Sequence, residues 1–137
     1  MASLHFGVIE DVHYTSGKPV HEVGDILEAK YGVIRHFAHD NEGAIRAMMV
    51  AQSEKTVKAM IAGRRPTMKP TLDEFKAMFR RYILAKSLDG RVRGVPTKAS
   101  LRGVNHTLKH PYAKKNPVRP SFFDTGLYVS AFRAWVK

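Results

Sequence analysis

The amino-acid sequence predicts an α+β domain: a small antiparallel sheet packed against a long helix plus additional helices, with an extended basic arm. Three observations lead there. Residues that favour strands gather near both ends, at 4–14 and 132–136. Between them, apolar residues recur at helical spacing in three segments. Beyond residue 89, glycines and prolines break up a strongly basic stretch.

The 137 residues are one domain's worth of chain. A protein of this size buries about two-thirds of its unfolded surface, and a hydrophobic fraction of 44% supplies the material for a core. We expect a single domain over 1–137. Residues 1–89 form a strand and helices, 90–123 the basic irregular arm, and 124–137 a turn, a short helix and a closing strand.

In LHFGVIEDVHY, residues 4–14, Phe6, Val8 and Ile9 favour a strand, with Gly7 marking a bulge or close approach. Residues 15–19 form a turn. Val20, Val23, Ile26, Leu27 and Tyr31 then share one side of a helix over 20–31, ended by Gly32, with Asp25, Glu28 and Lys30 on its wet side. Asp40 or Asn41 can cap a long helix over about 42–62 that ends at Gly63. Its stripe is Ala44, Ile45, Met48, Met49, Gln52, Val57, Met60 and Ile61, with the methionines read as core filling.

Thr71-Leu72-Asp73-Glu74 has the form of a capping box and opens a helix to about Ser87. Leu72, Phe75, Met78, Phe79, Tyr82 and Ile83 lie on one face of it, and Asp89-Gly90 is a turn signal. The punctuated stretch that follows has room for short strands around 91–95 and 104–109. We expect Phe75, Phe79, Ile83, Met48 and Ile45 to be buried, because their stripes are the large apolar faces available. Alternation in Phe132-Arg133-Ala134-Trp135-Val136 predicts the closing strand.

The net charge of +11 is unevenly spread. Residues 1–50 carry seven acids and four bases, for a net −3, and the remainder carries +14. Residues 90–123 contain no carboxylate and eight cations: Arg91, Arg93, Lys98, Arg102, Lys109, Lys114, Lys115 and Arg119. Such a field favours a polyanion or an acidic protein surface. Unable to neutralise one another, these cations predict an arm that is mobile in the monomer and lies on an acidic neighbour after assembly. Tyr112, His106 and His110 among them also suit non-specific contact with nucleic acid. No zinc-finger, RNP or KH signature supports sequence readout.

Catalytic motifs are sparse. Asp124-Thr125-Gly126 matches the loop of an aspartic protease, in which two chains share a proton. Only eleven residues follow it, too few for the strands and flaps of that fold, so it is read as a turn and helix start capped by Asp124 or Thr125. The pairs His36/His39 and His106/His110 have metal-ligand spacing on a helix. No carboxylate is well placed beside the second pair, and His110 precedes Pro111, where helix is disfavoured. No phosphate-cradling loop or nucleophile elbow is present. The absence of cysteine excludes disulfides and thiolate chemistry. No enzyme activity, cofactor or metal is expected.

No apolar run approaches the roughly 20 residues that span a bilayer. Met1-Ala2-Ser3-Leu4-His5 carries no basic region leading into an apolar stretch, so neither membrane insertion nor secretion is expected.

The segment Pro120-Ser121-Phe122-Phe123-Asp124-Thr125-Gly126-Leu127-Tyr128-Val129-Ser130, continuing to Val136, resembles the ending of tail-completion and neck proteins of tailed bacteriophages. Those proteins commonly read proline, a short gap, Thr-Gly-Leu, a serine and a final strand. The opening strand, Tyr14 and Gly17, Val20 and Val23, and Glu28 with Tyr31-Gly32 resemble the other end of the same family. Arg35-His36-Phe37 departs from it, because the family carries Arg-Pro-Phe there.

The resemblance implies a structural, head–tail-joining or tail-terminating virion component, assembled in the host cytoplasm. It implies a homo-oligomeric ring that contacts other virion proteins, and leaves neck, tail end and baseplate open. A non-specific nucleic-acid-binding protein is the alternative.

Overall fold

The computed structural model describes residues 3–9, 13–14 and 17–137. The element order is β1 (Leu4–Val8), α1 (Val20–Tyr31), α2 (Val33–Asp40), α3 (Glu42–Ile61), α4 (Lys69–Leu84), α5 (Lys98–Leu101), α6 (Leu127–Ser130) and β2 (Phe132–Val136). The architecture is α+β, as the sequence predicts: a two-stranded antiparallel sheet with several helices, one of them long. The sheet joins the two ends of the chain, with Leu4 opposite Val136 and Val8 opposite Phe132. β1 is shorter than the predicted 4–14. Ile9 lies outside it and is exposed, and residues 10–12 lie outside the described residues, as do 15–16 of the predicted turn.

The sheet rests chiefly on α4 and also touches α1. Phe79 of α4 stacks on Phe132 of β2 with ring centroids 4.2 Å apart. Phe37 of α2 meets Phe79, Tyr82 and Phe132 edge to face at 5.3, 5.5 and 5.8 Å. Val33, Ile83, Tyr128 and Val129 complete a fully enclosed cluster around them. Each such aromatic pair adds about 0.5–1.5 kcal/mol beyond the area it removes from water.

Several local expectations hold. α1 spans the predicted residues, and its last turn closes on Gly32, whose N–H donates to the Glu28 carbonyl at a φ of 62°. β2 occupies 132–136, and Phe75, Phe79 and Ile83 are buried.

Others are corrected. α2 has no counterpart in the sequence reading, although Val33 and Phe37, four residues apart, are both buried. The Glu28 carboxylate supplies its N-terminal cap, accepting from Ile34 N at 2.7 Å and Arg35 N at 3.0 Å. Asn41 does not cap α3 with its side chain but donates from Nδ2 to the Phe37 carbonyl, closing α2 at 2.9 Å.

The predicted capping box does not form, because α4 starts earlier, at Lys69, with Pro70 in its first turn. Thr71 lies inside the helix and donates its hydroxyl to Gln52 Oε1 at 2.7 Å. The helix stops at Leu84 rather than Ser87. Met48 and Ile45 are only half-buried, Ile45 at the margin of the core, and Gln52 is the buried residue of α3.

Candidate assembly surface

Two surfaces lie outside the core: the exposed cations of the basic tract and the outer side of α3. The tract forms no strand at 91–95 or 104–109. It is irregular, as predicted, but folds back on the domain instead of leaving it as an arm. Val95 is buried in the core, with Val92, Phe122 and Phe123 packed against it.

Thr97 caps α5, accepting from Ser100 N at 3.2 Å, and its own N–H donates to Ser121 Oγ at 3.0 Å. Ser100 and Ser121 are both buried, with their hydroxyls 3.0 Å apart. Gly103 holds a φ of 71°, and a Cβ there would lie 2.7 Å from the Pro117 carbonyl oxygen and closer still to that of Asn116. Hydrogen bonds to backbone carbonyls satisfy the tract where a sheet would otherwise be needed.

The eight cations divide into two groups. Arg91 forms a two-pronged pair with Asp40, Nη1 to Oδ2 at 2.6 Å and Nη2 to Oδ1 at 2.9 Å, and the Tyr82 hydroxyl donates to Oδ2 at 2.5 Å. These bonds, Arg91 first, hold the Asp40 carboxyl well below the usual carboxylate range. Burial and then Asp40 push the Tyr82 phenol up. Arg119 turns inward, donating from Nε to the Val104 carbonyl and from Nη1 to that of Pro120 at 3.0 Å, and burial lowers its pKa. Arg93, Lys98, Arg102, Lys109, Lys114 and Lys115 remain exposed.

Asp124-Thr125-Gly126 takes a mixed role. Thr125 Oγ1 accepts from Leu127 N at 3.3 Å at the start of α6, and Gly126 has a φ of 81° that a β-branched residue would strain. Asp124 is not a cap. Its Oδ1 accepts from His106 N at 2.7 Å, and its Oδ2 pairs with His106 Nδ1. A carboxylate only accepts, so the proton of a neutral ring sits on Nδ1 and Nε2 accepts from the Tyr112 hydroxyl at 2.9 Å. The chain of groups fastens the tract to the C-terminal turn.

A cleft of about 1080 Å³ lies alongside, lined by Tyr14, Tyr31, Phe122, Arg119 and Tyr128 among others. Burial raises the Tyr14 pKa, with a smaller contribution from Asp124. The Tyr128 hydroxyl is buried there without a hydrogen-bond partner among the described residues, and burial pushes its pKa up.

α3 carries apolar residues on opposite sides. Inward, Gln52 donates to the Thr67 carbonyl at 3.0 Å and to Thr56 Oγ1 at 3.1 Å, tying the helix to the start of α4. Outward, Val50, Val57, Met60 and Ile61 are 54% to 81% exposed. Positions 50, 57 and 61 fall on one line of the helix, with 60 beside it.

Among the described residues, no three His, Cys, Asp or Glu side chains gather where a metal could sit, and no helix is long and apolar enough to cross a membrane. No protein-family model matches the chain, and no curated protein or solved structure matches it.

Proposed function

We propose that the chain is a structural component of a tailed-bacteriophage virion, of neck, tail-completion or tail-terminator type. It works by assembling with further copies of itself into a ring, without chemistry of its own. The observation that carries this reading is the outward stripe of α3. Val57, Met60 and Ile61 neighbour one another on the side turned away from the core, with Val50 two turns before Val57 and Glu54 between them, and clustered exposed apolar surface marks a contact site. A ring arises when one patch of a subunit meets a different patch of the next and the rotation closes. The likeness of 120–136 to the endings of neck and tail-completion proteins points the same way.

The six exposed cations of the tract favour a second reading, non-specific binding to nucleic acid. Light scattering on the eluting protein, with and without DNA, separates the two. The first reading expects a particle of several copies whose mass ignores DNA. A monomer that binds DNA with an affinity falling steeply with salt would overturn it in favour of the second.

A further inference from the structure

The outer face of α1 and the face of α5 form a complementary pair of patches on one chain. On α1, Glu22, Asp25 and Ile26 lie within one turn of each other and are exposed. Val20, Val23, Gly24 and Leu27 turn the opposite side inward. On α5 and its C-cap, Lys98, Leu101 and Arg102 occupy one turn and are exposed. Each patch centres on an apolar residue about half uncovered, Ile26 or Leu101, beside two charges of one sign, and Lys30, one turn beyond Ile26, holds its ammonium over the Tyr31 ring.

The charges are also spare. The other described acids include Glu28, capping α2, Asp40 on Arg91, Glu42 on Arg46, Asp73 on Lys69, Glu74 on Arg81 and Asp124 on His106. Glu22 and Asp25 make no ion pair among the described residues, nor do Lys98 and Arg102. The α5 turn is a firm platform, because Arg119 N donates to the Ser100 carbonyl and the Ser100 side chain is fully buried.

We propose that the outer face of α1 of one copy docks on the α5 turn of the next, placing Glu22 and Asp25 against Lys98 and Arg102 and covering Ile26 with Leu101. The occupant is a second copy, chosen by charge: a basic chain offers few acidic faces, and this one matches the cationic turn in size and in its apolar residue. The joint is heterologous, since the two patches differ, so it propagates head to tail as a ring requires. Opposite charges fix partner and register more than they add affinity. The inference rests on the self-assembling reading and adds a charged contact between copies to the one made by the α3 stripe.

Charge reversal tests it, with particle mass read by light scattering and folding by circular dichroism. Glu22→Lys with Asp25→Lys, or Lys98→Glu with Arg102→Glu, should each weaken self-association about tenfold or more. Carrying all four changes on one chain should restore it, as should mixing the two double variants. Assembly of either double variant at wild-type strength overturns the proposal, and so does failure of both restorations. A wild-type chain that stays monomeric at every concentration overturns instead the self-assembling reading on which the proposal rests.

Discussion

α4 and α3 are neighbours of similar length, 16 and 20 residues, with opposite fates. α4 turns Phe75, Phe79, Tyr82 and Ile83 to one side and buries all four, whereas the longer α3 buries only Gln52. The difference lies in sidedness. α4 concentrates its large apolar groups on one face, where they reach β2 and α2. α3 spreads Ile45, Met48, Val50, Val57, Met60 and Ile61 around its axis, so that no single neighbour can cover them. Helix length and apolar content therefore do not identify a core element. What α3 offers instead is a rod held by one polar anchor, with apolar surface left over.

Removing the centre of the α4 face should have the largest effect. Phe79→Ala is expected to lower the unfolding free energy by about 3–5 kcal/mol in urea titrations, while Met60→Ala on α3 changes it by less than about 0.5 kcal/mol. Equal losses would erase the contrast between the helices.

The anchor comes next. Gln52 accepts from Thr71 and donates to Thr67 and Thr56. Gln52→Ala leaves those partners unpaired at a part-buried site, a change that should lower stability by about 1–3 kcal/mol. Amide hydrogen exchange should quicken in α3 before α4.

A smaller, pH-dependent effect belongs to Asp40, which joins α2 to Tyr82 of α4 and to Arg91 of the tract. Its carboxyl is stabilised in the ionised form, so its folded pKa lies below the unfolded value. Its contribution is thus complete above the unfolded value of about 4 and fades as pH falls through the folded one. Asp40→Asn should be less stable than wild type at neutral pH, with the gap narrowing below about pH 4 in unfolding titrations across that range. A gap that widens on acidification would mean that the pair does not act as described.

These contrasts were unevenly legible in the sequence. α1 and β2 were readable because their patterns are strict and local: Val20, Val23, Leu27 and Tyr31 at helical spacing with Gly32 behind, and alternation from Phe132 to Val136. α2 is not legible because eight residues with only Val33, Ile34 and Phe37 for a stripe give a weak period, and Gly32 serves as the end of one helix and the start of the next.

For α3 the existence of the helix was plain and its buried side was not. Periodicity reports that a face is apolar, not whether a neighbour is there to meet it. The false capping box at Thr71 shows local pattern losing to Pro70, which suits a first turn better than an interior. From sequence the tract reads as an arm because its anchors are distant along the chain. Asp40 meets Arg91 across 51 residues and His106 meets Asp124 across 18, and neither spacing announces itself. Carboxylates outside the tract and buried serines inside it hold down what charge alone would have released.

The central claim is that the outward stripe of α3 is a surface for another copy and contributes nothing to the fold of one. Val57→Glu combined with Ile61→Glu tests it most directly. Unfolding is followed at a dilution where the wild type is monomeric, and particle mass is measured by light scattering at high concentration. The account predicts an unfolding free energy within about 0.5 kcal/mol of wild type together with collapse of the particle to a monomer. A loss of several kcal/mol in the monomer, or a particle of unchanged mass, would contradict it.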